Sequence, residues 1–278
     1  MLAIVLTVPA NEAELAGDAL WALGVAAIEE RAAESGDALA LEDRFVELWT
    51  SLGSDVDAIT RAAEGFPARW RWRTVEVDPT VAESWRAHAV PSWVDRGLVV
   101  VPAWLDVDIA PSVSRVDIDP GAAFGLGDHP TTILALRLLR KVWWPGATVL
   151  DVGSGSGVLS VVAAQLGAPY VEALDISPAA VEATHDNALR NGVAGVVTVS
   201  TRPLSSVDEP FDLVLANLLA PVLLELAPHL RRAVSPSGEL IVSGVLDGKY
   251  GHVVDALAPM QVVDTVNREG WAALVLRH

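Results

Sequence analysis

Glycine occupies every second position near the end of the segment DVGSGSG at residues 151–157, which lies between two apolar runs. The run that leads into it, TVLDV at 148–152, is typical of a buried strand, and the run that follows is typical of a helix. Glycine lets a chain turn tightly from strand to helix and lets the backbone come close to a ligand. The segment therefore predicts a ligand site at the carboxyl edge of a parallel sheet, with a ligand-free turn as the alternative.

The residues from about 130 to the end alternate between strand and helix patterns, which predicts an α/β fold. Predicted helices span 131–142, 157–166, 178–190 and 219–233, and predicted strands span 148–152, 170–176, 196–200, 211–216, 239–243, 261–267 and 271–276. This order favours a mostly parallel, seven-stranded, Rossmann-like sheet with helices on both faces. The last two strands, joined by a short turn, are expected to form an antiparallel pair at one edge.

The first part of the chain has a different pattern and a strong acidic excess. Residues 1–68 contain 13 Asp and Glu against three Arg, a net charge of −10. Their patterns follow the order βαββαβ, with Asn11 as a candidate N-cap of a first helix that reaches about Val25. This order predicts a small α+β, ferredoxin-like domain. Its charge indicates a separate electrostatic role, with an ordinary solvated surface as the alternative.

Proline and tryptophan recur between these two parts, around the strand-like run LVVVPAW. This composition predicts a connector that packs against a domain, because a free linker would be polar. We therefore expect an N-terminal domain at 1–78, a connector at 79–114 and the α/β domain at 115–278.

The composition excludes several kinds of chemistry. The chain has no cysteine, which excludes disulfides, thiolate nucleophiles, iron–sulfur clusters and cysteine-based zinc sites. Its formal net charge of −17 opposes broad binding of nucleic acid or of anionic membranes. The opening residues lack the basic region of a signal peptide, and no apolar run is long enough for a membrane span. We therefore expect a soluble, cytoplasmic protein.

The spacing of the glycines and of the acidic residues indicates which ligand the loop binds. A nicotinamide fingerprint, G-x-G-x-x-G, counted from Gly153 would require glycine where the sequence has Val158. The spacing D-x-G-x-G-x-G instead resembles the S-adenosylmethionine loop of class I methyltransferases. Asp175 ends the second predicted strand, where its carboxylate can accept hydrogen bonds from both ribose hydroxyls. Asp151 is expected to fix the loop from below.

Asn217 is a second polar residue at this predicted sheet edge, because it ends the apolar run FDLVLAN. Its amide offers one acceptor and two donors, and its carbonyl can orient a neutral amine so that the nitrogen lone pair faces a methyl group. The alternative is that Asn217 serves as the N-cap of the helix that begins near Leu219.

Four segments carry a resemblance to a known family. They are DPGAAFGLGDHPTT at 119–132, DVGSGSG at 151–157, DISPAAVEATHDNALRNGV at 175–193 and ANLLAPVLLELAP at 216–228. Together they resemble the bacterial PrmA family, which methylates the eleventh protein of the large ribosomal subunit. The resemblance is strong over 115–278 and weak over the connector. It implies a catalytic domain that uses S-adenosylmethionine and a small N-terminal domain that captures the substrate protein.

The resemblance also assigns residues, position by position. It implies cofactor contacts at Thr132, Gly153, Asp175 and Asn217. Gly155 belongs to the same glycine loop and is predicted to bind the cofactor as well, while Phe124 matches an aromatic residue beside the reactive end of the cofactor. Asn217 and Phe124 are thus the predicted catalytic residues. No metal is expected, because methyl transfer from a sulfonium is an in-line displacement.

Two positions depart from the family's usual sequence, F-G-T-G-T-H-P-T-T. Leu126 and Asp128 replace its first two threonines. Asp128 could attract a cationic amine or cap the helix that follows, and capping is the favoured interpretation. His129 could accept a proton or have a structural role.

The predicted function is methyl transfer from S-adenosylmethionine to lysine side chains, the N-terminal amine, or both, of the eleventh large-subunit ribosomal protein. The alternatives are a protein-lysine methyltransferase with another substrate, a small-molecule methyltransferase, and a non-enzymatic protein that binds S-adenosylmethionine. The expected partner is a basic ribosomal protein docked on the acidic N-terminal domain, without contact to nucleic acid or membrane. The protein is expected to be a monomer.

Overall fold

The computed structural model describes residues 2–21, 29–32, 45–51, 61, 63–76, 86, 89–121 and 125–278. The chain divides into two compact units, Met1–Ala89 and Val90–His278. Among the described residues, no helix is both long enough and apolar enough to span a membrane.

The first unit contains a four-stranded antiparallel sheet. Its elements are β1 (Leu2–Pro9), α1 (Ala13–Trp21), β2 (Glu29–Ala32), β3 (Phe45–Ser51) and β4 (Arg71–Glu76). The strand order is β2-β3-β1-β4, so β1 lies between β3 and β4. This order fits the predicted ferredoxin-like sandwich. The second helix of that pattern, which the run DVDAITRAAEGF at 55–66 predicts, falls mostly outside the described residues, so the ferredoxin-like assignment stays a prediction.

Alternating side chains of β1 build the core of this unit on one face of the sheet. Ile4, Leu6 and Val8 are fully buried and pack with Ala16 and Leu20 of α1. Because successive side chains of a strand point to opposite faces, α1 packs against this face of the sheet and not against the other.

The start of α1 differs from its prediction. Asn11 lies inside a 3-10 turn, Ala10–Glu12, and the α-helix begins only at Ala13. The expectation that Asn11 caps this helix was therefore wrong, because a 3-10 turn that includes Asn11 precedes the α-helix. The predicted end of the helix near Val25 lies outside the described residues.

The second unit begins with a small three-stranded sheet. Strands β5 (Ser92–Asp95), β6 (Leu98–Pro102) and β7 (Ser114–Ile118) lie in the order β5-β6-β7, with β6 and β7 parallel. All five residues of β6 are buried. Part of the predicted connector is therefore ordered strand within this unit, while the boundaries proposed from the sequence stay predictions.

The rest of the second unit is the α/β domain, and it confirms the predicted fold class. Its strands are β8 (Val149–Val152), β9 (Val171–Leu174), β10 (Val197–Ser200), β11 (Phe211–Asn217), β12 (Val234–Leu246), β13 (Gln261–Arg268) and β14 (Trp271–Arg277). Its helices are α2 (Pro130–Val142), α3 (Val158–Gln165), α4 (Pro178–Arg190), α5 (Ala220–Ala233) and α6 (Gly251–Ala256). The short α6, a 3-10 turn at Leu204–Ser206 and the strand β7 were not predicted, and β12 begins at Val234, five residues before its predicted start.

The sheet order β10-β9-β8-β11-β12-β14-β13 determines where a ligand can bind. The first five strands are parallel, whereas β14 is antiparallel to both of its neighbours, as predicted for the closing pair. The chain leaves β8 toward β9 on one side and later returns to β11 on the other. Between β8 and β11 the strand order therefore reverses, which opens a crevice at the carboxyl ends of the strands.

Candidate active site

The register of the sheet brings three predicted site residues together. Val152 of β8 pairs with Leu174 of β9 on one side and with Ala216 of β11 on the other. The next residues along these three adjacent strands are Gly153, Asp175 and Asn217. The predicted loop glycine, acidic residue and amide thus lie side by side at the carboxyl edge, where parallel sheets bind ligands.

The glycine loop has a backbone that only glycine adopts without strain. Gly153, Gly155 and Gly157 have φ angles of 75°, 56° and 79°. A Cβ atom on Gly153 would lie 2.4 Å from Leu218 Cδ2, and one on Gly157 would lie 2.8 Å from Thr184 Cγ2. The loop therefore has no space for larger residues at these positions.

The Asp175 carboxylate is held by two backbone amides. Its Oδ2 accepts a hydrogen bond from Gly155 N at 2.9 Å, and its Oδ1 accepts one from Ser177 N at 2.9 Å. Each carboxylate oxygen keeps a further lone pair that can accept a ligand hydroxyl. The geometry is compatible with the predicted contact to two ribose hydroxyls, which stays a prediction.

Asp151 lies beneath the loop and does not face the crevice. It is 1% exposed, and its Oδ2 accepts a hydrogen bond from Ser160 Oγ of α3 at 2.6 Å. Burial raises the pKa of this carboxyl to about 6, and the nearby Asp175 carboxylate contributes to the increase. This position agrees with a role in fixing the loop.

Two residues of α4 hold the loop from its other side, and neither was predicted as a site residue. Thr184 Oγ1 donates to the carbonyl of Gly155 at 3.1 Å. The Asn187 amide donates to the carbonyls of Ser156 and Asp119, at 2.9 and 2.8 Å. Thr184 and Asn187 are both fully buried. Two polar residues three positions apart on the apolar face of a predicted helix were the signal that could have revealed them.

Asn217 is turned toward α2. Its Nδ2 donates a hydrogen bond to Thr132 Oγ1 at 3.3 Å. The N-cap residue of α5 is Leu219, which makes no side-chain capping hydrogen bond. The capping alternative for Asn217 is therefore wrong, and the amide is available at the sheet edge.

His129 caps the helix that carries Thr132. Its Nδ1 accepts a hydrogen bond from Thr131 N at 3.3 Å and lies 2.8 Å from Thr131 Oγ1. The ring packs edge-on against Trp271, with centroids 5.2 Å apart, and burial lowers its pKa. These contacts support the structural role for His129. The favoured capping role for Asp128 was wrong, since the backbone places His129 at the cap and leaves Asp128 exposed.

The segment before α2 runs against the glycine loop. A Cβ atom on Gly125 would lie 3.3 Å from Ser156 Oγ, and one on Gly127 would lie 2.6 Å from Val100 Cγ1. Both glycines have positive φ angles, 102° and 95°. The predicted catalytic residue Phe124 lies outside the described residues.

Comparison with known proteins identifies the family. The family described as Ribosomal protein L11 methyltransferase (PrmA) matches residues 11–278. The chain belongs to this family. Ribosomal protein L11 methyltransferases of Pelotomaculum thermopropionicum and Heliobacterium modesticaldum are 45% and 35% identical to it, over 70% and 86% of this chain. The alignments span 65% and 76% of those two proteins.

A solved structure from the same family supports the fold. The crystal structure of ribosomal protein L11 methylase from Lactobacillus delbrueckii subsp. bulgaricus is 34% identical, with a TM-score of 0.63. The match covers 68% of this chain and 99% of that chain. This α/β domain accordingly has the fold of that methylase, and S-adenosylmethionine is the cofactor that the sequence resemblance implies.

The residues present fit that cofactor. The glycine loop offers a backbone surface without side chains, and Asp175 offers carboxylate oxygens held in place beside it. Ile176, which was not predicted as a site residue, is 91% exposed directly after Asp175. An apolar residue following the acidic residue at a strand end was the available signal. Among the described residues, no group of three or more His, Asp or Glu could hold a metal ion.

Proposed function

We propose that this chain transfers methyl groups from S-adenosylmethionine to amines of ribosomal protein L11. The observation that carries the proposal is the register that places Gly153, Asp175 and Asn217 on three adjacent strand ends. The names of the relatives support the protein substrate. Lysine side chains and the N-terminal amine are the proposed acceptors, because both supply the nitrogen lone pair that methyl transfer requires.

The cofactor, when bound, supplies a methyl group on a positively charged sulfur. We assign the ribose of the cofactor to Asp175. We assign Ile176 to an apolar part of the cofactor, because exposure of this apolar side chain to water is unfavourable and a contact with the cofactor would remove it from water. Gly153 and Gly155 let the backbone lie against it. These contacts hold the cofactor, whereas the chemistry depends on how the acceptor amine is placed.

Asn217 is proposed to place that amine. Its Nδ2 is engaged by Thr132, which fixes the plane of the amide. No described residue donates to its Oδ1, so this oxygen can accept an N–H of the acceptor. The bond aims the nitrogen lone pair at the methyl group, and such alignment supplies several kcal/mol, up to about 10, of the barrier reduction.

The acceptor amine must lose its proton before it reacts. A free lysine titrates near 10.4, and a poorly hydrated site lowers that value because it disfavours the charged form. We assign no general base among the described side chains at this edge. His129 Nδ1 accepts from the Thr131 amide, and both oxygens of Asp175 accept from backbone amides. We therefore propose that the proton leaves to solvent.

The first unit is proposed to capture the protein substrate in the cytoplasm, with the enzyme acting as a monomer. A small-molecule substrate would need no such additional unit. The predicted docking of a basic partner on acidic charge rests on residues 1–68. Most of those acidic side chains lie outside the described residues, so this part stays a prediction.

The decisive experiment is an assay with methyl-labelled cofactor on purified ribosomal protein L11 and, in parallel, on a mixture of ribosomal proteins, followed by mass spectrometry of the products. The full chain is expected to label lysines, the N-terminal amine, or both. Asn217→Ala should lose most of the activity, while the control Asn267→Ala, on the exposed strand β13, should keep it. Labelling of another protein in preference to L11 would favour a methyltransferase with a different substrate. If no protein is labelled, the remaining interpretation is a non-enzymatic protein that binds S-adenosylmethionine.

A further inference from the structure

The face of the first unit's sheet that lies opposite α1 carries arginine and aromatic side chains. We call it the arginine face; its described members are Arg31, Phe45, Glu47, Trp49, Arg71 and Arg73. They share a face because Thr7 pairs laterally with Glu47 and Arg71, while Val5 pairs with Trp49 and Arg73. Side chains in lateral register point to the same side of a sheet. Among the described side chains of this face, three arginines lie beside one acidic residue, Glu47, in contrast to the acidic excess of residues 1–68.

Two guanidinium groups lie on Trp49, and a third lies on Phe45. The Cζ atoms of Arg31 and Arg73 are 4.3 and 5.3 Å from the Trp49 ring centroid, and that of Arg71 is 5.5 Å from Phe45. Such stacking holds a guanidinium group by its face and leaves the N–H groups at its edge available. The arginines are therefore ordered before any partner binds, which lowers the entropy cost of binding.

Arg71 and Arg73 differ in what they bind within the chain. Arg73 Nη2 donates to both carboxylate oxygens of Glu47, at 2.9 and 3.1 Å, and Trp49 Nε1 donates to the same carboxylate at 3.0 Å. Arg71 is exposed and has no carboxylate partner among the described residues. Both arginines lie on β4, one of the two edge strands of the described sheet. Arg71 therefore offers an ordered, exposed fork of donors at an accessible edge.

Planar forks of this kind bind carboxylates or phosphates. Two observations favour carboxylates on a protein over a nucleic acid. The formal net charge of −17 repels a polyphosphate chain over long range, whereas a single carboxylate makes only local contacts. In addition, guanidinium groups already lie on Trp49 and Phe45, which leaves less of each ring for stacking with nucleobases.

We propose that the arginine face binds a carboxylate-bearing segment of the protein substrate, with Arg71 as its main donor. This proposal rests on the proposed function, because it takes the substrate to be a protein. It reverses the charge relationship that composition indicates: here the enzyme supplies the cations and the substrate the anions. Charged residues also protect edge strands from aggregation, and that role alone would require no partner.

The test uses the full chain and the variant Arg71→Glu, with Arg61→Glu as the matched control. Arg61 is exposed in the same unit, and its neighbour Ala63 packs in the core on the opposite face, so the control makes the same charge change elsewhere. Arg71→Glu should raise the KM for ribosomal protein L11 about tenfold, since it replaces a charge-assisted bond by repulsion. The kcat and the KM for S-adenosylmethionine should not change, and Arg61→Glu should behave as the wild type. If Arg71→Glu misfolds by circular dichroism, Arg71→Gln replaces it.

A binding measurement keeps the arginine face testable if L11 is not a substrate. Octaglutamate and octauridylate are titrated separately into each protein, and the dissociation constants are compared. Octaglutamate should bind the wild type and lose about tenfold in affinity in Arg71→Glu, with octauridylate the weaker ligand. An unchanged KM for L11 alongside normal methylation would overturn the arginine face and leave the proposed function standing. Absence of L11 methylation would overturn the function, and octaglutamate binding would then decide the face alone. Tighter binding of octauridylate would assign the face to nucleic acid and overturn the proposal.

Discussion

The Asn217 amide donates a hydrogen bond to the Thr132 hydroxyl across 85 residues of sequence, at 3.3 Å. This contact joins the end of β11 to the first turn of α2. A second contact, from Ser243 Oγ to the carbonyl of Thr131 at 2.9 Å, joins the same turn to β12. The N-terminal turn of α2 is thereby tied to two neighbouring strands. The orientation of Asn217 thus depends on α2, a helix that is distant from β11 in the sequence.

Removal of the Thr132 hydroxyl should impair turnover through Asn217. In Thr132→Val the amide of Asn217 loses the bond that fixes its plane, so the acceptor amine is less well aligned. We expect kcat to fall about tenfold or more, because alignment matters mainly in the transition state. The check is single-turnover kinetics at saturating cofactor. Thr198→Val, an exposed position on β10, serves as the control, and an equal loss in both variants would contradict the role of Thr132.

Replacement of Asp175 should weaken cofactor binding. Asp175→Ala removes the carboxylate that accepts from Gly155 and Ser177 and that we assign to the ribose. We expect a loss of about 1–3 kcal/mol in binding free energy, as is typical for hydrogen bonds to a charged group. Isothermal titration calorimetry measures this directly. Asp208→Asn, on an exposed loop, should bind normally, and unchanged affinity in Asp175→Ala would remove this residue from the site.

The buried Asp151 should make folding stability depend on pH in a defined range. Its pKa is about 6 in the folded chain, against 3.8 for the unperturbed carboxyl. Because the folded state binds this proton more tightly, its contribution to stability is present below about pH 4 and is lost as pH rises to about 6. The loss amounts to about 3 kcal/mol, since each pKa unit corresponds to about 1.4 kcal/mol.

Urea unfolding between pH 4 and pH 7 tests this contribution. Asp151→Asn cannot titrate, so the fall in unfolding free energy across this range should be smaller by about that amount. The comparison uses the change with pH and not the absolute stability, because the new amide group alters the buried hydrogen bonds. Asp208→Asn should keep the fall seen in the wild type. The same fall in Asp151→Asn would assign the pH dependence to other groups.

Asn187 and Asn191 provide a matched pair for testing the loop support on α4. Asn187 connects the glycine loop at Ser156 with Asp119, whereas the Asn191 side chain binds Asp117 and the carbonyl of Asn187. Both alanine variants should lose about 1–3 kcal/mol of stability, because buried polar groups lose their partners. Only Asn187→Ala should also raise the KM for S-adenosylmethionine. Similar KM values in the two variants would indicate a purely structural role for Asn187.

The order of elements and the loop residues could be predicted because they depend on local sequence. Apolar runs of strand and helix length surround DVGSGSG, and Asp175 and Asn217 end such runs, so topology alone brings them to one edge. Capping was predicted wrongly at Asn11 and Asp128, because the cap depends on backbone angles that several residues near a helix start could adopt.

Contacts between distant segments could not be predicted. The bond from Asn217 to Thr132 and the bonds from Asn187 to the loop both join separate elements. The arginine face requires the register of strands that are far apart in sequence, since composition shows only that residues 1–68 are acidic. A net charge describes a domain and not the face that a partner meets.

Whether a truncated second unit can fold depends on whether it keeps the strands β5 and β6. A chain that begins at Ser114 would keep β7 but lose β6, which pairs with β7, and β5, which pairs with β6. Val94, Leu98 and Val100 of those strands are buried in the same core as α2, and each contributes about 1.5–3 kcal/mol when buried. A chain that begins at Val90 keeps all of them. We therefore expect residues 90–278 to unfold cooperatively and to bind S-adenosylmethionine with the affinity of the full chain, whereas residues 114–278 should not form a stable fold. Thermal unfolding with and without cofactor distinguishes the two fragments.

The longer fragment should also lose most methylation of ribosomal protein L11, because substrate capture is assigned to the first unit. Full activity of that fragment would show that the first unit is not required for capture, and a stable fragment 114–278 would contradict the structural role of β5 and β6.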